Sequence, residues 1–427
     1  MQKKRCVVVG TGTRGAYSYV SPIAKGHLSD VCEMCGLYDI VTSRAEIVSK
    51  MFGDIPVFTD FEEMLDTVKP DFVIVTTKDS NHHDYIIRAL DKGYDVVSEK
   101  PMTNTRKKAL AIMEAEKRSG HTVRTTFNMR YMKPIEDLKR VIASGVIGEV
   151  RHIDFQWLLD RYHGADYFRR WHRYLDNSTS LLIHKSTHHF DVINWIIGQK
   201  PASVYADCTL EFYGKNGPYR GEACHKCSYT AECPFYIDIT KGGVNTRLYH
   251  DVLPESHYYR DGCVFAEDID IFDRMALLVK YDGGITMNYS LVAYAPEEGP
   301  RIRFVGTKGS VEFEYYGSGP RAYSKRGTTF LEEIAERKVS GDKEGNIIIR
   351  VLPAGGEEQI VLTGFGTGAH GGADDVMRDD IFRAPNPSDD LCHVAPSIEA
   401  YYSLAIGDMA VMSCRLGRPV KIDELPD

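Results

Sequence analysis

Two histidines four residues apart, His184 and His188, stand in the run Leu181-Leu182-Ile183-His184-Lys185-Ser186-Thr187-His188-His189-Phe190-Asp191-Val192-Ile193-Asn194-Trp195. At that spacing on a helix both imidazoles share one face, and a neutral imidazole is suited to taking a proton near pH 7. The pair could also ligate zinc or manganese, although no third ligand stands close by, and either ring could be a plain core histidine. His189 falls on another face and is not expected in a site. Lys100 is the second candidate. In Glu99-Lys100-Pro101 it follows a strand-like stretch, and a proline-stiffened turn can point an ammonium into a cleft. There it would hydrogen-bond a hydroxyl and stabilise developing oxyanion character; a solvated turn lysine is the plainer reading. The segment from Asp160 to Arg173 is dense in rings and charges. Rings stack on the faces of a ligand such as a sugar, while Asp, His and Arg bond its hydroxyls or a carboxylate. His163, Asp166, Arg170, Trp171 and His172 are therefore candidates for a substrate loop, with an interface loop as the alternative. The glycines around His370 permit close approach and could bring that imidazole to the same cleft, or simply form a surface turn.

These groups need a scaffold. Val7-Val8-Val9 reads as a buried strand, and Gly10-Thr11-Gly12-Thr13-Arg14-Gly15 behind it matches G-x-G-x-x-G. Gly10 allows the tight turn, Gly12 the approach of backbone to a pyrophosphate, and Gly15 the close packing of a helix. That helix, opening with Thr13 and Arg14, presents free N–H groups to the phosphates. A strand-like run from Val31 ends at Asp39, 24 residues past Gly15. An acid there accepts hydrogen bonds from an adenosine ribose and repels a 2′-phosphate, so NAD is expected over NADP; Arg44 could soften the preference, and Asp39 could instead be a helix N-cap. Strand-like and helix-like runs then alternate to residue 126, which predicts a doubly wound parallel sheet. In such sheets ligands sit beyond the carboxyl ends of the strands, here Gly10, Asp39, Thr76-Thr77 and Glu99-Lys100-Pro101.

From Val150 the pattern becomes alternating apolar and polar, with successive strands and few helices between them, which predicts an α+β domain with a large, mostly antiparallel open sheet. The expected boundaries are 1–127 for the dinucleotide domain and 128–427 for the second, with a cysteine-containing insertion near 213–270. There, Cys224-x2-Cys227-x5-Cys233 with Cys263 further on has zinc-ligand spacing at its first step, and four thiolates would complete a structural zinc site. Reduced thiols, disulfides and an iron–sulfur cluster are the alternatives. At 427 residues, 43% hydrophobic, 26% charged and with a formal charge of −8, the chain is globular and lacks the basic excess of a nucleic-acid protein. No apolar run approaches the ~20 residues that cross a bilayer, and no apolar signal segment precedes the first strand, so a cytoplasmic protein is expected.

The glycine turn and Glu99-Lys100-Pro101, separated by the expected strands, resemble the Gfo/Idh/MocA family of NAD(P)-dependent sugar and cyclitol oxidoreductases. In that family the Glu-Lys-Pro contacts nicotinamide and substrate, and Thr76, Asn81 and His82 match positions near the cofactor. Asn128-Met129-Arg130-Tyr131 is similar to a family motif that places Asn128 and Arg130 on the nicotinamide side of the cleft. The family's Asp, three residues, His, two residues, Asp is matched at His188 and Asp191, while His184 stands where the first Asp is usual. The resemblance implies that His188 takes a hydroxyl proton as hydride leaves the same carbon, with His184 and Lys100 orienting the alcohol. It implies NAD as cofactor, a small carbohydrate or polyol as partner, and a homodimer or homotetramer. NAD-dependent glycoside cleavage, by transient oxidation, elimination and reduction, is the alternative activity.

Overall fold

The computed structural model describes residues 2–315, 347–367, 369–383 and 388–424. Short apolar runs form a six-stranded parallel sheet: β1 (Lys4–Val9), β2 (Cys32–Tyr38), β3 (Val57–Phe58), β4 (Phe72–Val75), β5 (Asp95–Ser98) and β6 (Val123–Thr125). Val7, Val8, Val9, Val73, Ile74 and Val75 have no solvent exposure, as expected for strands covered on both faces. The helices between them are α1 (residues 13–24), α2 (Thr42–Phe52), α3 (Phe61–Val68), α4 (His82–Asp91) and α5 (Arg106–Ser119). The middle of α1, Ala16–Val20, is π-helical. Asp60 caps α3 by accepting from the Glu63 N–H at 2.8 Å. The strand order β3-β2-β1-β4-β5-β6 reverses direction between β1 and β4, and a crevice opens there at the carboxyl ends.

After α6 (Lys133–Ala143) comes the second domain, a nine-stranded sheet. Its strands are β7 (Val150–Asp160), β8 (Pro201–Thr209), β9 (Arg274–Tyr281), β10 (Thr286–Ala295), β11 (Gly299–Gly306), β12 (Gly309–Glu314), β13 (Ile347–Pro353), β14 (Gln359–Thr363) and β15 (Val420–Lys421), in the order β14-β13-β12-β11-β7-β10-β9-β8-β15. Every pairing is antiparallel except β7 with β10, so the sheet is mixed and mostly antiparallel. Between β7 and β8 lie α7 (Arg161–Arg169), α8 (Leu181–His184) and α9 (Thr187–Ile197); α10 (Ala373–Phe382) and α11 (Ser397–Leu416) follow β14. Helix α11 packs on β8, α9 and α5, tying the two sheets into one body. The other face of the large sheet is open. It carries a concavity of about 950 Å³ that shares no residue with the crevice at the glycine turn.

Two expectations are corrected. The segment 160–173 is not a loop: Asp160 caps α7 by accepting from the His163 N–H at 2.8 Å, and Trp171–Arg173 forms a 3-10 turn. In the insertion Cys224, Cys227, Cys233 and Cys263 line one small pocket with no disulfide among them, and they are not arranged as the expected tetrahedral zinc site. Among the described residues no group of three or more His, Cys, Asp or Glu is arranged to hold a metal ion. The Arg169 guanidinium donates to the Cys224 sulfur at 3.4 Å, so a positive charge already sits against the thiols.

Candidate functional site

The crevice is a cleft of about 480 Å³ running from the glycine turn to α8 and α9. At one end Gly10 has φ +93°, and a Cβ there would lie 2.8 Å from the Thr76 carbonyl oxygen. A Cβ on Gly15 would meet the Gly10 carbonyl oxygen at 2.1 Å, so the turn closes only because both residues are glycine. The Thr76 hydroxyl donates to the Gly10 carbonyl and holds the turn on β4. A Cβ on Gly12 would lie 3.1 Å from the Tyr249 hydroxyl of the insertion, which accepts from the Thr13 N–H at 3.0 Å. Asp39 closes β2 and accepts from the Thr11 N–H (2.7 Å) and the Val41 N–H (2.9 Å), with Arg44 3.2 Å away.

Glu99 and Lys100 follow β5. Burial raises the Glu99 carboxyl, but Arg14 and the Tyr19 hydroxyl, each 2.7 Å from Oε1, bring it below its ordinary value. Arg14 also reaches Asp374, which holds the Asn128 amide (2.6 Å) and His370 (3.0 Å). Asp374 thus fastens three cleft groups from the start of α10. The Lys100 ammonium donates to the His184 carbonyl at 2.9 Å. Burial pulls it down to about 8, with Asp79 and Glu99 opposing and Lys185 and Arg14 adding repulsion. His184 Nδ1 lies 2.7 Å from Asp79 Oδ2. Its ring is 4.0 Å from that of His172, which stacks on Trp171 at 3.7 Å.

His184 and His188 both line the cleft, though not from one continuous helix: Lys185 ends α8 and Ser186 begins α9, where its hydroxyl accepts from Tyr289 at 2.8 Å. His188 is 8% exposed, and its Nδ1 has no hydrogen-bond partner. Burial, then Lys100 and Lys185, push it well below the ordinary histidine value, so it is neutral at pH 7. His189 lies outside the cleft, stacked on Trp157 and bonded to Tyr289.

Of the remaining candidates, Thr13, Arg14, Asn81, His82, His163, Arg170, Trp171, His172 and His370 line the cleft. His82 sets its ring nitrogens 2.9 and 3.1 Å from the Pro101 and Thr77 carbonyls, and, with burial lowering its pKa, the neutral ring donates to one of them. Three candidates do not line the cleft. Gly15 is packed beneath the turn. Arg130 is buried in a two-pronged pair with Asp191 at 2.6 and 2.7 Å and also reaches Glu399. Asp166 bridges Arg170 and Arg260. Sequence reasoning missed Asp79, Lys185, Tyr249 and Tyr258. Asp79 was discoverable, since an acid just past a strand's carboxyl end faces the crevice. The tyrosines stand in an irregular insertion whose pattern carries no such signal.

Profiles of two families match the chain: "Oxidoreductase family, NAD-binding Rossmann fold" over residues 4–127 and "Oxidoreductase family, C-terminal alpha/beta domain" over residues 139–422. YteT of Bacillus subtilis (strain 168), named only as an oxidoreductase, is 32% identical over 99% of this chain and 98% of its own. The scyllo-inositol 2-dehydrogenase (NAD(+)) of the same organism is 29% identical over 47% of this chain and 56% of its own. A solved levoglucosan dehydrogenase in complex with NADH and levoglucosan superposes with a TM-score of 0.66 at 17% identity, covering 99% of this chain and 100% of that one. Among the described residues no helix is long and apolar enough to cross a membrane.

Proposed function

Since the chain belongs to the Gfo/Idh/MocA oxidoreductase family, we propose that it moves hydride between NAD and a secondary hydroxyl of a sugar, glycoside or cyclitol. The observation that carries this reading is the meeting of Lys100, His184 and His188 at one end of a cleft whose other end is the glycine turn at Gly10 and Gly12. The turn suits a dinucleotide: a side chain at Gly12 would crowd the Tyr249 hydroxyl at the cleft, and the start of α1, where that hydroxyl accepts from the Thr13 N–H, is the place for a pyrophosphate. When bound, nicotinamide supplies the acceptor for the hydride leaving the alcohol carbon. Glu99, Arg14 and Asn128 border that end of the cleft and are cross-braced through Asp374, so they hold the cofactor's surroundings rigid.

His188, neutral and unpartnered at Nδ1, takes the hydroxyl proton. Lys100 hydrogen-bonds the same oxygen and stabilises its developing negative charge. Asp79 fixes His184 through Nδ1, leaving Nε2 to orient the substrate. Trp171 offers a ring face for stacking against the substrate. The names of the relatives are those of dehydrogenases, which favours net oxidation over glycoside cleavage.

A panel of polyols and glycosides followed at the NADH absorbance tests the activity: a substrate should yield stoichiometric NADH, whereas cleavage would leave none. His188→Asn is expected to lower hydride transfer by about 10²-fold or more, in the range of a lost general base, with NAD binding retained. Unchanged turnover would remove His188 from the role.

A further inference from the structure

The first turn of α2 has an unusual cap. Val41, at the N-cap, offers no side-chain acceptor. The acceptor comes from Glu255, 213 residues further along the chain, in the short helical turn Leu253–Ser256 of the insertion. Glu255 Oε1 accepts from the Thr42 N–H at 2.6 Å; Oε2 accepts from the Ser43 N–H at 3.1 Å and from the Ser43 hydroxyl. The insertion is anchored beside it: Arg44 donates from Nε to the Leu248 carbonyl at 2.9 Å and lies over the Tyr249 ring.

This helix start follows Asp39 directly. In a dinucleotide-binding fold, a phosphate on the adenosine 2′-oxygen is received where the second strand ends, by nearby arginine and by donors at a helix start. All those donors are present here: two N–H groups, the Ser43 hydroxyl and Arg44. All are engaged by this chain's own acceptors: Glu255, Leu248 and Asp39.

Building on the reading of the cleft as an NAD site, we propose that Glu255 is a specificity-determining residue: its carboxylate holds the anion position at the start of α2 and thereby excludes NADP. NADP would have to displace a carboxylate held by three hydrogen bonds and set a dianion beside Asp39. NAD, whose 2′-hydroxyl is uncharged, leaves Glu255 in place. The Ser43 hydroxyl and the two N–H groups keep Glu255 below the ordinary glutamate value, so it is an anion throughout the neutral range. A determinant additional to Asp39 of the dinucleotide domain therefore lies in the insertion.

The test is equilibrium binding to the full chain, which needs no substrate. The probes are NAD, AMP and adenosine 2′,5′-bisphosphate, against the wild type and Glu255→Ala, alone and in an Asp39→Ser background. Glu255→Ala should tighten the bisphosphate at least ~10-fold, the equivalent of 1.4 kcal/mol, in one or both backgrounds, and leave NAD and AMP within about threefold. Unchanged bisphosphate affinity in both backgrounds overturns the proposal while leaving the NAD site intact. Weakening of all three probes together also overturns it, since Glu255 would then act only as a cap. A wild type that binds neither NAD nor AMP overturns the cofactor reading, and this inference with it.

Discussion

Lys100 is where residue-scale physics bears most directly on the proposed reaction. Its pKa is depressed to about 8 because burial costs the ammonium more than Asp79 and Glu99 return. The side chain is thus charged at pH 7 and loses its proton as the pH rises through about 8. If the ammonium stabilises the alkoxide, kcat/KM should fall along an alkaline limb with its midpoint near 8. In Lys100→Arg that limb should vanish, since guanidinium stays protonated, while kcat drops because a planar fork cannot replace a point charge. His188 is depressed too, so its protonation should not limit the rate above the ordinary histidine value. A pH–rate profile of both forms checks these signs. The motif Asn128-Met129-Arg130-Tyr131 illustrates what residue types alone conceal. Asn128 lines the cleft, whereas Arg130 turns into the protein to meet Asp191. Both are polar, two residues apart, in one 3-10 turn, and the placement of α9, α10 and α11 separates their fates.

At the scale of elements, local sequence carries periodicity but not interruption. The run 181–195 has the apolar spacing of one helix, yet α8 ends before Ser186 and α9 starts anew. Both histidines still reach the cleft, because the break redirects the chain without removing either from that side. The polar segment 161–169 becomes a helix because Asp160 caps it and Gly164 lets it lie directly on β10. A Cβ on Gly164 would stand 1.8 Å from the Ala293 carbonyl oxygen. Gly164→Ala should therefore displace α7 and lower stability by about 2–3 kcal/mol, as overpacking against a rigid neighbour does. Because His163 lies on that helix and Arg170 and Trp171 follow it, KM should rise with the loss of stability. A thermal melt alongside steady-state kinetics would show whether the two change together. A fall in Tm with KM unchanged would separate α7 from substrate binding.

At the scale of the whole molecule, the two sheets are joined by buried ion pairs and by the insertion. Arg106, at the start of α5, is fully buried; its Nε donates to Asp408 at 2.9 Å and its guanidinium also reaches the Ile422 carbonyl at 3.0 Å. Arg106→Met should cost about 3–5 kcal/mol, because Asp408 would be left buried without a counter-charge. Replacing both with apolar residues of similar volume should cost less than the single change, and unfolding of the three proteins decides it. What the sequence by itself determined is whatever depends on short spacing. The glycine turn, Asp39, the alternation of strands and helices and Glu99-Lys100-Pro101 suffice for the doubly wound sheet and one end of the cleft. Alternating runs after Val150 suffice for a mostly antiparallel second sheet. Tertiary structure alone decided the rest: Asp79 on His184, Asp374 gathering Arg14, Asn128 and His370, and Glu255 on α2. It also set Arg169 against the cysteines where zinc spacing had pointed to a metal. The physical reason is distance along the chain. Backbone conformation and burial pattern are written in neighbours a few residues apart, whereas all of these contacts except His370 with Asp374 join groups 55 to 360 residues apart, and only the packed domains bring them within a hydrogen bond.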